Sequence, residues 1–169
     1  VFSASTVDQR PKEISSALLF GGALTVPVPD IDRTDHLLLL GANPVESNGS
    51  LATAPDWPGR LQALRDRGGR LVVVDPRRTR TADLADEWVP IRPGTDALLL
   101  AGMVTTLAEE GLVDLGPAGP HLAGVDEAVA ALAAFTPEAV ADATGIEAPT
   151  IRRLARDLAA APTAAVYGR

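Results

Sequence analysis

The chain has 169 residues, 46% of them hydrophobic, so it is long enough for one compact domain with a buried core. Its 15 basic residues are outnumbered by 22 acidic ones, and the formal net charge of −7 disfavours nonspecific binding to nucleic acid. The absence of cysteine excludes disulfides, thiolate zinc sites and an iron–sulfur cluster held by this chain, and two histidines are too few for a histidine metal cage.

The first part of the chain predicts a helix, an extended connection and a strand. Residues 26–35 contain two prolines and read as an extended connection, and the leucines of His36–Leu40 indicate a strand covered on both faces. Before them, residues 13–20 predict a short helix with apolar residues on one face at Ile14, Ala17 and Leu18.

The middle of the chain predicts a strand–helix–strand unit. Residues 41–56 show no helical period and are predicted to form a long loop. A helix is predicted over 58–67, with Leu61 and Leu64 facing inward, and a second buried strand over 71–74. Two strands joined in this way are expected to be parallel, with a right-handed crossover.

The remainder of the chain continues the alternation of strands and helices. Residues 87–91 predict a short strand at a sheet edge, and Thr95 is predicted to cap a helix over 96–110. The tail predicts helices over 125–134, 137–144 and 149–161, and a strand at 164–167. The whole pattern predicts an α/β fold.

Three stretches that follow predicted strands carry residues suited to a ligand, and in a parallel sheet such loops converge on one crevice. In the first, Gly41 allows backbone to approach a ligand, Asn43 offers an amide, and Glu46 and Ser47 can accept hydrogen bonds. Taken alone, this stretch is also typical of an ordinary surface turn.

The second stretch combines a carboxylate with cationic side chains. Asp75 follows the second strand, where a carboxylate can accept both hydroxyls of a ribose. Arg77 and Arg78 can pair with phosphates, and Thr79 follows them. A solvated basic turn is the alternative.

The third stretch is Gly94, Thr95 and Asp96, at the start of a predicted helix. Asp96 could accept hydrogen bonds from the ring N–H and the amino group of a guanine. The alternative is ordinary helix capping, which favours the same residue types. The chain has neither G-x-G-x-x-G nor a P-loop, so the residues alone predict a nucleotide-like ligand at a sheet edge.

Three segments together resemble the molybdopterin-dependent oxidoreductases of the dimethyl sulfoxide reductase superfamily: GANPVES, VVVDPRRTRTADLADEWVPIRPGTDALL and FTPEAVADATGI. The resemblance covers residues 30–168 and is nearest to formate dehydrogenases and assimilatory nitrate reductases. It implies a three-layer αβα, Rossmann-like domain with a mostly parallel sheet. Such a domain binds molybdopterin guanine dinucleotide, and two of these molecules (bis-MGD) hold molybdenum or tungsten.

The resemblance also implies a place along the cofactor for each loop. Gly41, Asn43, Glu46 and Ser47 match the loop at the phosphates and pterin, Asp75, Arg77, Arg78 and Thr79 match the loop at the ribose and phosphates, and Gly94, Thr95 and Asp96 match the guanine-binding turn.

The metal ligand is the point where the chain departs from the family. Most members use Cys, selenocysteine, Ser or Asp upstream of the first loop, and three alignments place Asp8, Glu13 or Ile14 there. Asp8 is the one with a precedent, and we take it as the predicted ligand. A solvated aspartate and a metal without a protein ligand are the alternatives. Lys12 matches a basic residue that the family often has near the metal.

The resemblance implies that residues 1–169 are a single cofactor-binding domain, with 1–35 as a metal-proximal segment and connection. The start at Val1 and the end at Arg169 suggest an internal fragment of a larger oxidoreductase, inactive alone. Its expected partners are the other domains of that enzyme and an electron-transfer subunit, with any iron–sulfur cluster elsewhere. No segment predicts membrane contact, and a cytoplasmic location is expected.

Two other interpretations stay open at this stage. A noncatalytic nucleotide-binding or assembly module with the same fold is supported by the missing cysteine. The central domain of a thiamine diphosphate enzyme has similar strand–helix alternation, but the DPRRT and PGTD segments disfavour it.

Overall fold

The computed structural model describes residues 9–50, 52 and 54–168, and in them a parallel sheet of four strands lies between two layers of helices. The sheet order is β3-β2-β1-β4, and all three strand pairs are parallel. The strands are β1 (His36–Leu40), β2 (Arg70–Val74), β3 (Glu87–Val89) and β4 (Ala164–Gly168). The predicted α/β class, αβα layering and parallel sheet are therefore confirmed.

The helices of the described residues alternate with the strands and then form a helical tail. They are α1 (Arg10–Phe20), α2 (Pro44–Ser47), α3 (Trp57–Asp66), α4 (Arg80–Leu84), α5 (Asp96–Glu109), α6 (Val125–Leu132), α7 (Pro137–Thr144) and α8 (Ala148–Ala160). Two 3₁₀ turns cover Ile31–Arg33 and Gly116–His121. None of these helices is both long and apolar enough to cross a membrane.

The leucines of β1 explain why the sheet has two covered faces. Side chains alternate along a strand, so Leu38 and Leu40 point to one face and Leu37 and Leu39 to the other. The first face packs against α5, α7 and α8, through Leu99, Val140, Ile151 and Leu154. The second face packs against α3, through Trp57, Leu61 and Leu64. The run of leucines fits a strand in a three-layer fold.

The predicted strand–helix–strand unit is confirmed by β1, α3 and β2. Asp56 begins α3 by accepting a hydrogen bond from the Gly59 amide (3.1 Å), and Gly68 follows the helix with a φ of 85°. The left-handed region suits glycine, so Gly68 lets the chain turn away at the end of α3.

Three segments differ from the sequence-based expectations. Residues 41–56 contain the single-turn helix α2, and α4 lies in a stretch for which no helix was predicted. Both are too short to show a helical period. In α1 the predicted apolar face is exposed, with Leu18 81% accessible, and the helix buries Ser16, whose hydroxyl donates to the Thr25 carbonyl (2.7 Å).

Candidate functional site

The three predicted loops start from the same edge of the sheet, which we call the carboxyl edge. Leu40 lies opposite Val74 in the strand register, and Val74 lies opposite Val89. Loops 41–47, 75–79 and 90–96 therefore leave neighbouring parallel strands in the same direction. The predicted convergence of the three loops has its structural basis in this register.

The first loop leaves its backbone open at Gly41. This residue has a φ of 59°, and a Cβ built there would meet no atom within 4 Å. Its amide donates to the Val74 carbonyl (2.9 Å), which ties the loop to β2. The Ser47 hydroxyl donates back to the Asn43 carbonyl (3.1 Å). The open side of Gly41 is a place where a ligand can approach the backbone.

Thr81, a residue not predicted for the site, joins the first loop to the helix after the second. Its hydroxyl donates to Oδ1 of Asn43 (2.6 Å) and accepts from the Val45 amide (3.2 Å). Thr81 is fully buried, with 0% exposure. Its place in the RTRT run gave no signal of this role, because the contact spans 38 residues along the chain.

An exposed ion pair makes a second link between the same two segments. Arg80 Nη1 lies 2.9 Å from Glu46 Oε1, with 71% and 50% of the side chains exposed. Exposed pairs of this kind contribute little to stability. Glu46, predicted as a site residue, therefore has a specific partner at the carboxyl edge.

The second loop holds Asp75 with one carboxylate oxygen engaged. Asp75 is 7% exposed, and its Oδ1 accepts from the Arg77 amide (2.8 Å). Its carbonyl accepts from Trp88 Nε1 (2.9 Å). Among the residues that the structure describes, Oδ2 has no hydrogen bond. A ribose hydroxyl could donate to that oxygen.

Among the described residues, Arg77 of the second loop has no ion pair, whereas the side chains of Arg78 and Thr79 each have a partner. Arg77 is exposed, and its guanidinium has no ion pair within residues 9–50, 52 and 54–168. Arg78 pairs with Asp83 (2.8 Å) and lies 5.9 Å from the centre of the Trp88 ring. Thr79 caps α4 by accepting from the Ala82 amide (3.2 Å). Arg77 is thus the cation of this loop that is available to a phosphate.

The third loop does not cap its helix in the predicted way. Thr95 precedes α5, but its hydroxyl donates to the Arg92 carbonyl (2.7 Å) and caps no amide of the helix. The predicted position is confirmed, since Thr95 is the N-cap residue of α5. A cap formed by its side chain is not, because the Gly94 turn, with a φ of 80°, brings the Arg92 carbonyl within reach of the Thr95 hydroxyl. A Cβ on Gly94 would meet no atom within 4 Å, so this turn is also open.

Asp96 lies in the first turn of α5 and is half-buried. Its carboxylate has no hydrogen bond or ion pair within the described part of the chain. The N-terminal end of a helix is a favourable place for an acidic side chain. It is an unpaired bidentate acceptor at the carboxyl edge.

The predicted metal-proximal residues are only partly described. Asp8 lies outside the described residues. Lys12 Nζ donates to the carbonyl of Gly168 at the end of β4 (3.1 Å), Glu13 pairs with Arg10 (2.9 Å), and Ile14 is exposed. Within residues 9–50, 52 and 54–168, no cluster of three or more His, Cys, Asp or Glu side chains could hold a metal ion.

The donor set at the carboxyl edge fits a nucleotide-type cofactor. Two open glycine turns, at Gly41 and Gly94, give room for close approach of a ligand. Asp75 and Asp96 supply acceptors for hydroxyl and N–H groups, and Arg77 supplies a cation for phosphate. These residues therefore suit a ligand that carries hydroxyl, N–H and phosphate groups, and among the residues that the structure describes they form no metal cage.

Comparisons with known proteins identify the family of this chain. The sequence model of the molybdopterin oxidoreductase family matches residues 4–151. The chain is 33% identical over 145 residues to formate dehydrogenase H of Escherichia coli, covering 86% of this chain and 19% of that protein. It is 34% identical over 141 residues to a nitrate reductase of Symbiobacterium thermophilum, covering 78% and 18%.

A solved structure has the same fold. Acetylene hydratase from Pelobacter acetylenicus aligns with a TM-score of 0.70 and 31% identity, over 82% of this chain and 18% of that chain. The chain thus spans about a fifth of the length of its curated relatives.

Proposed function

Because this chain belongs to the molybdopterin oxidoreductase family, we propose that its carboxyl edge holds a molybdopterin guanine dinucleotide, one of the pair that binds molybdenum or tungsten. The family is one of oxidoreductases that use a pterin cofactor carrying molybdenum or tungsten. We extend the proposal to the whole chain: residues 1–169 form one cofactor-binding domain of a larger enzyme.

The observation that carries the proposal is the unpaired carboxylate of Asp96. Guanine presents a ring N–H and an amino group side by side, and a carboxylate can accept from both. The open Gly94 turn leaves space for the base, and Thr95 holds the turn through its bond to Arg92. We assign these three residues, Gly94, Thr95 and Asp96, to guanine.

The other two loops then follow the rest of the dinucleotide. Oδ2 of Asp75 is placed to accept from a ribose hydroxyl, and Arg77 to pair with a phosphate. Arg78 and Thr79 support this loop through Asp83 and the start of α4. Gly41, Asn43, Glu46 and Ser47 line the phosphates and the pterin.

When bound, the cofactor supplies a metal that exchanges two electrons with a substrate. The chain's own residues would bind and orient the dinucleotide, with Asp96 accepting from the base and Arg77 pairing with a phosphate. We propose Asp8 as the protein ligand of the metal and Lys12 as a nearby cation. Any iron–sulfur cluster is assigned to another part of the full-length protein, because this chain has no cysteine.

We propose formate as the substrate of the full-length enzyme. The proteins named formate dehydrogenase H of E. coli and F420-dependent formate dehydrogenase subunit alpha of Methanocaldococcus jannaschii share 33% and 30% identity with this chain. The name of the second relative specifies a subunit, which supports an electron-transfer subunit as a partner of this enzyme.

An exposed apolar cleft supports contact with the other domains of the enzyme. The cleft has a volume of about 610 Å³ and lies between α1, residues 23–29 and β4. Leu19, Phe20, Leu24 and Val166 line it with exposed apolar surface. Apolar patches of this kind mark interaction surfaces. We therefore propose that residues 1–35, of which the structure describes 9–35, form the metal-proximal segment and the connection to those domains.

The proposal is tested by metal analysis and guanine-nucleotide extraction. The sample is the full-length protein that contains this chain, matured in a host that makes the cofactor. We expect molybdenum or tungsten together with a guanine nucleotide. A matured sample with neither metal would contradict the proposed oxidoreductase function. It would favour the noncatalytic module, which the lack of cysteine also supports. Metal without guanine nucleotide would contradict the assignment of Asp96.

A further inference from the structure

We infer that Thr81 is a positioning residue that fixes the orientation of the Asn43 amide, so that its NH₂ group faces an acceptor oxygen of the cofactor. The inference rests on the proposed function and adds a residue to the proposed site. The observation behind it is the buried hydrogen-bond chain from the Val45 amide through Thr81 to Asn43.

The direction of this chain follows from the number of protons. The Val45 amide can only donate, so Thr81 Oγ1 accepts from it (3.2 Å). The single hydroxyl proton of Thr81 is then left for Oδ1 of Asn43 (2.6 Å). The amide of Asn43 therefore turns its oxygen toward Thr81 and its nitrogen the other way.

The reverse orientation of the amide is unfavourable. With the NH₂ group toward Thr81, nitrogen would donate to the hydroxyl oxygen, and the hydroxyl proton would lose its acceptor. Thr81 is fully buried, so water cannot replace that acceptor. The assignment of oxygen and nitrogen in Asn43 thus comes from the hydrogen-bond network.

The NH₂ group of Asn43 is left with hydrogen-bonding capacity. It donates to no group within the residues that the structure describes, and Asn43 is half-buried between Gly41 and α2. An amide nitrogen at this place is a donor for a diphosphate oxygen or a pterin oxygen. It would not suit a cation or an N–H group.

The neighbouring ion pair holds the same two segments together. Arg80 and Glu46, which form this ion pair, are the sequence neighbours of Thr81 and Val45, which form the hydrogen bond. The pair is exposed, whereas the hydroxyl bonds are buried, so Thr81 defines the geometry more strongly. The first loop is thus held to α4 at two successive residues of the helix.

The test compares cofactor retention in variants of the full-length protein. In Thr81→Val a methyl group of similar size replaces the hydroxyl, and we expect the cofactor to dissociate about tenfold more readily. Thr81→Ser keeps the hydroxyl and should retain wild-type cofactor content. Loss in both variants would indicate a packing role and overturn the inference.

A double-mutant cycle separates a role through Asn43 from general stability. If Thr81 acts by orienting Asn43, T81V should have no further effect on cofactor content in an N43A background. An equal loss in that background would overturn the inference. Thermal unfolding of the cofactor-free variants shows how much of the loss reflects a weakened fold.

Asn43→Asp provides a test that does not depend on how T81V folds. The carboxylate can still accept from Thr81, but it presents an oxygen where the amide presented NH₂. We expect N43D to lose the cofactor while its cofactor-free form unfolds at the wild-type temperature. Wild-type retention by N43D would overturn the inference.

Guanosine diphosphate distinguishes the two sources of the acceptor oxygen. If cofactor-free T81V binds it more weakly than the wild type, the oxygen belongs to the diphosphate. If binding is equal while T81V still loses the intact cofactor, the oxygen belongs to the pterin. A wild-type protein without any cofactor would overturn the proposed function and this inference together, whereas full retention by T81V would overturn this inference alone.

Discussion

Asp96 illustrates at the scale of one residue how a capping position differs from a binding position. Thr and Asp at the start of a helix usually satisfy its first amides. Here Thr95 bonds to the Arg92 carbonyl, and Asp96 has no partner among the described residues. The carboxylate is half-buried and stabilised by the helix end, and it remains available to a ligand.

Asp96→Asn should therefore weaken cofactor binding by about 1–3 kcal/mol, because an amide cannot accept both guanine hydrogen bonds. The measurement is guanine nucleotide retained per polypeptide in the full-length protein. Asp126→Asn is the matched control, since Asp126 is an acidic residue in the first turn of α6. If both variants lower thermal stability alike and neither changes cofactor content, Asp96 serves only the helix.

His36 lies at the opposite edge of the sheet and should make stability depend on pH. The side chain is 4% exposed. Burial lowers the pKa of its imidazole, and the charge of Arg70 lowers it further, whereas the charges of Asp157 and Glu87 raise it. The unfolded chain therefore takes up this proton at a higher pH than the folded chain. Stability is lost as the pH falls through the unfolded pKa, about 6.5, toward the lowered folded value.

Replacing His36 by Gln removes this titration. Between about pH 7.5 and pH 5.5, the wild type should lose more of its free energy of unfolding than H36Q does. Urea unfolding at both pH values measures the difference. Equal losses would show that His36 has the same pKa in the folded and unfolded chain.

At the scale of elements, the close packing of α5 against α7 and α8 depends on Gly102. A Cβ built there would lie 3.0 Å from Val140 Cγ2 and 3.3 Å from Ile151 Cγ2. Overpacking costs about 1–3 kcal/mol, and alanine gains about 1 kcal/mol of helix propensity over glycine. The packing cost exceeds the propensity gain over most of this range.

Gly102→Ala should therefore destabilise the chain by up to about 2 kcal/mol. In a Val140→Ala background the closer of the two methyl groups is absent and only the contact with Ile151 remains, so the same change should cost less and become about neutral. Denaturant unfolding of the four proteins measures this difference. The same loss in both backgrounds would mean that Val140 is not the obstruction.

The elements also show which features can be predicted from a sequence. The leucines of β1 and the long helices α5 and α8 carry enough apolar residues to identify their type and position. One-turn helices such as α2 and α4 do not show a period. The exposure of the apolar face of α1 could not be predicted. The spacing of apolar residues shows which of them share a face of a helix, but it does not show whether another element covers that face.

The common placement of Asp75 and Asp96 could be predicted for a different reason. Asp75 and Asp96 follow predicted strands, and topology brings such residues to one edge. Thr81 could not be predicted, since its role depends on which backbone amide and which side chain of a distant loop face it. The hydrogen bond of the Thr95 hydroxyl could not be predicted for a similar reason. The Gly94 turn determines that its acceptor is the Arg92 carbonyl, which lies outside α5.

At the scale of the whole molecule, the two edges of the sheet differ in how their charges are satisfied. We call the edge at which β1, β2 and β3 begin the amino edge. There Arg70 pairs with Glu87 (2.6 Å) and Asp157 (2.9 Å), and Arg153 pairs with the same two carboxylates. These contacts, led by the bond to Glu87, raise the pKa of the Arg153 guanidinium. This edge is internally neutralised.

The carboxyl edge, by contrast, presents Arg77 and Asp96 without partners in the described part of the chain. Its loops have no strand partner beyond their first residues, so their backbone amides are expected to exchange more readily with solvent than those of the sheet. A bound dinucleotide would shield these loops, whereas no unpaired group of this kind lies at the amino edge among the residues that the structure describes.

Hydrogen exchange of the full-length protein with and without cofactor should therefore change at one edge of the sheet. We expect slower exchange in residues 41–47, 75–79 and 93–96 when the cofactor is bound, and little change in residues 67–70 at the amino edge. Protection confined to the amino edge would contradict the placement of the cofactor. In T81V, protection of 41–47 should decrease while protection of 93–96 persists, since the guanine turn does not depend on Asn43.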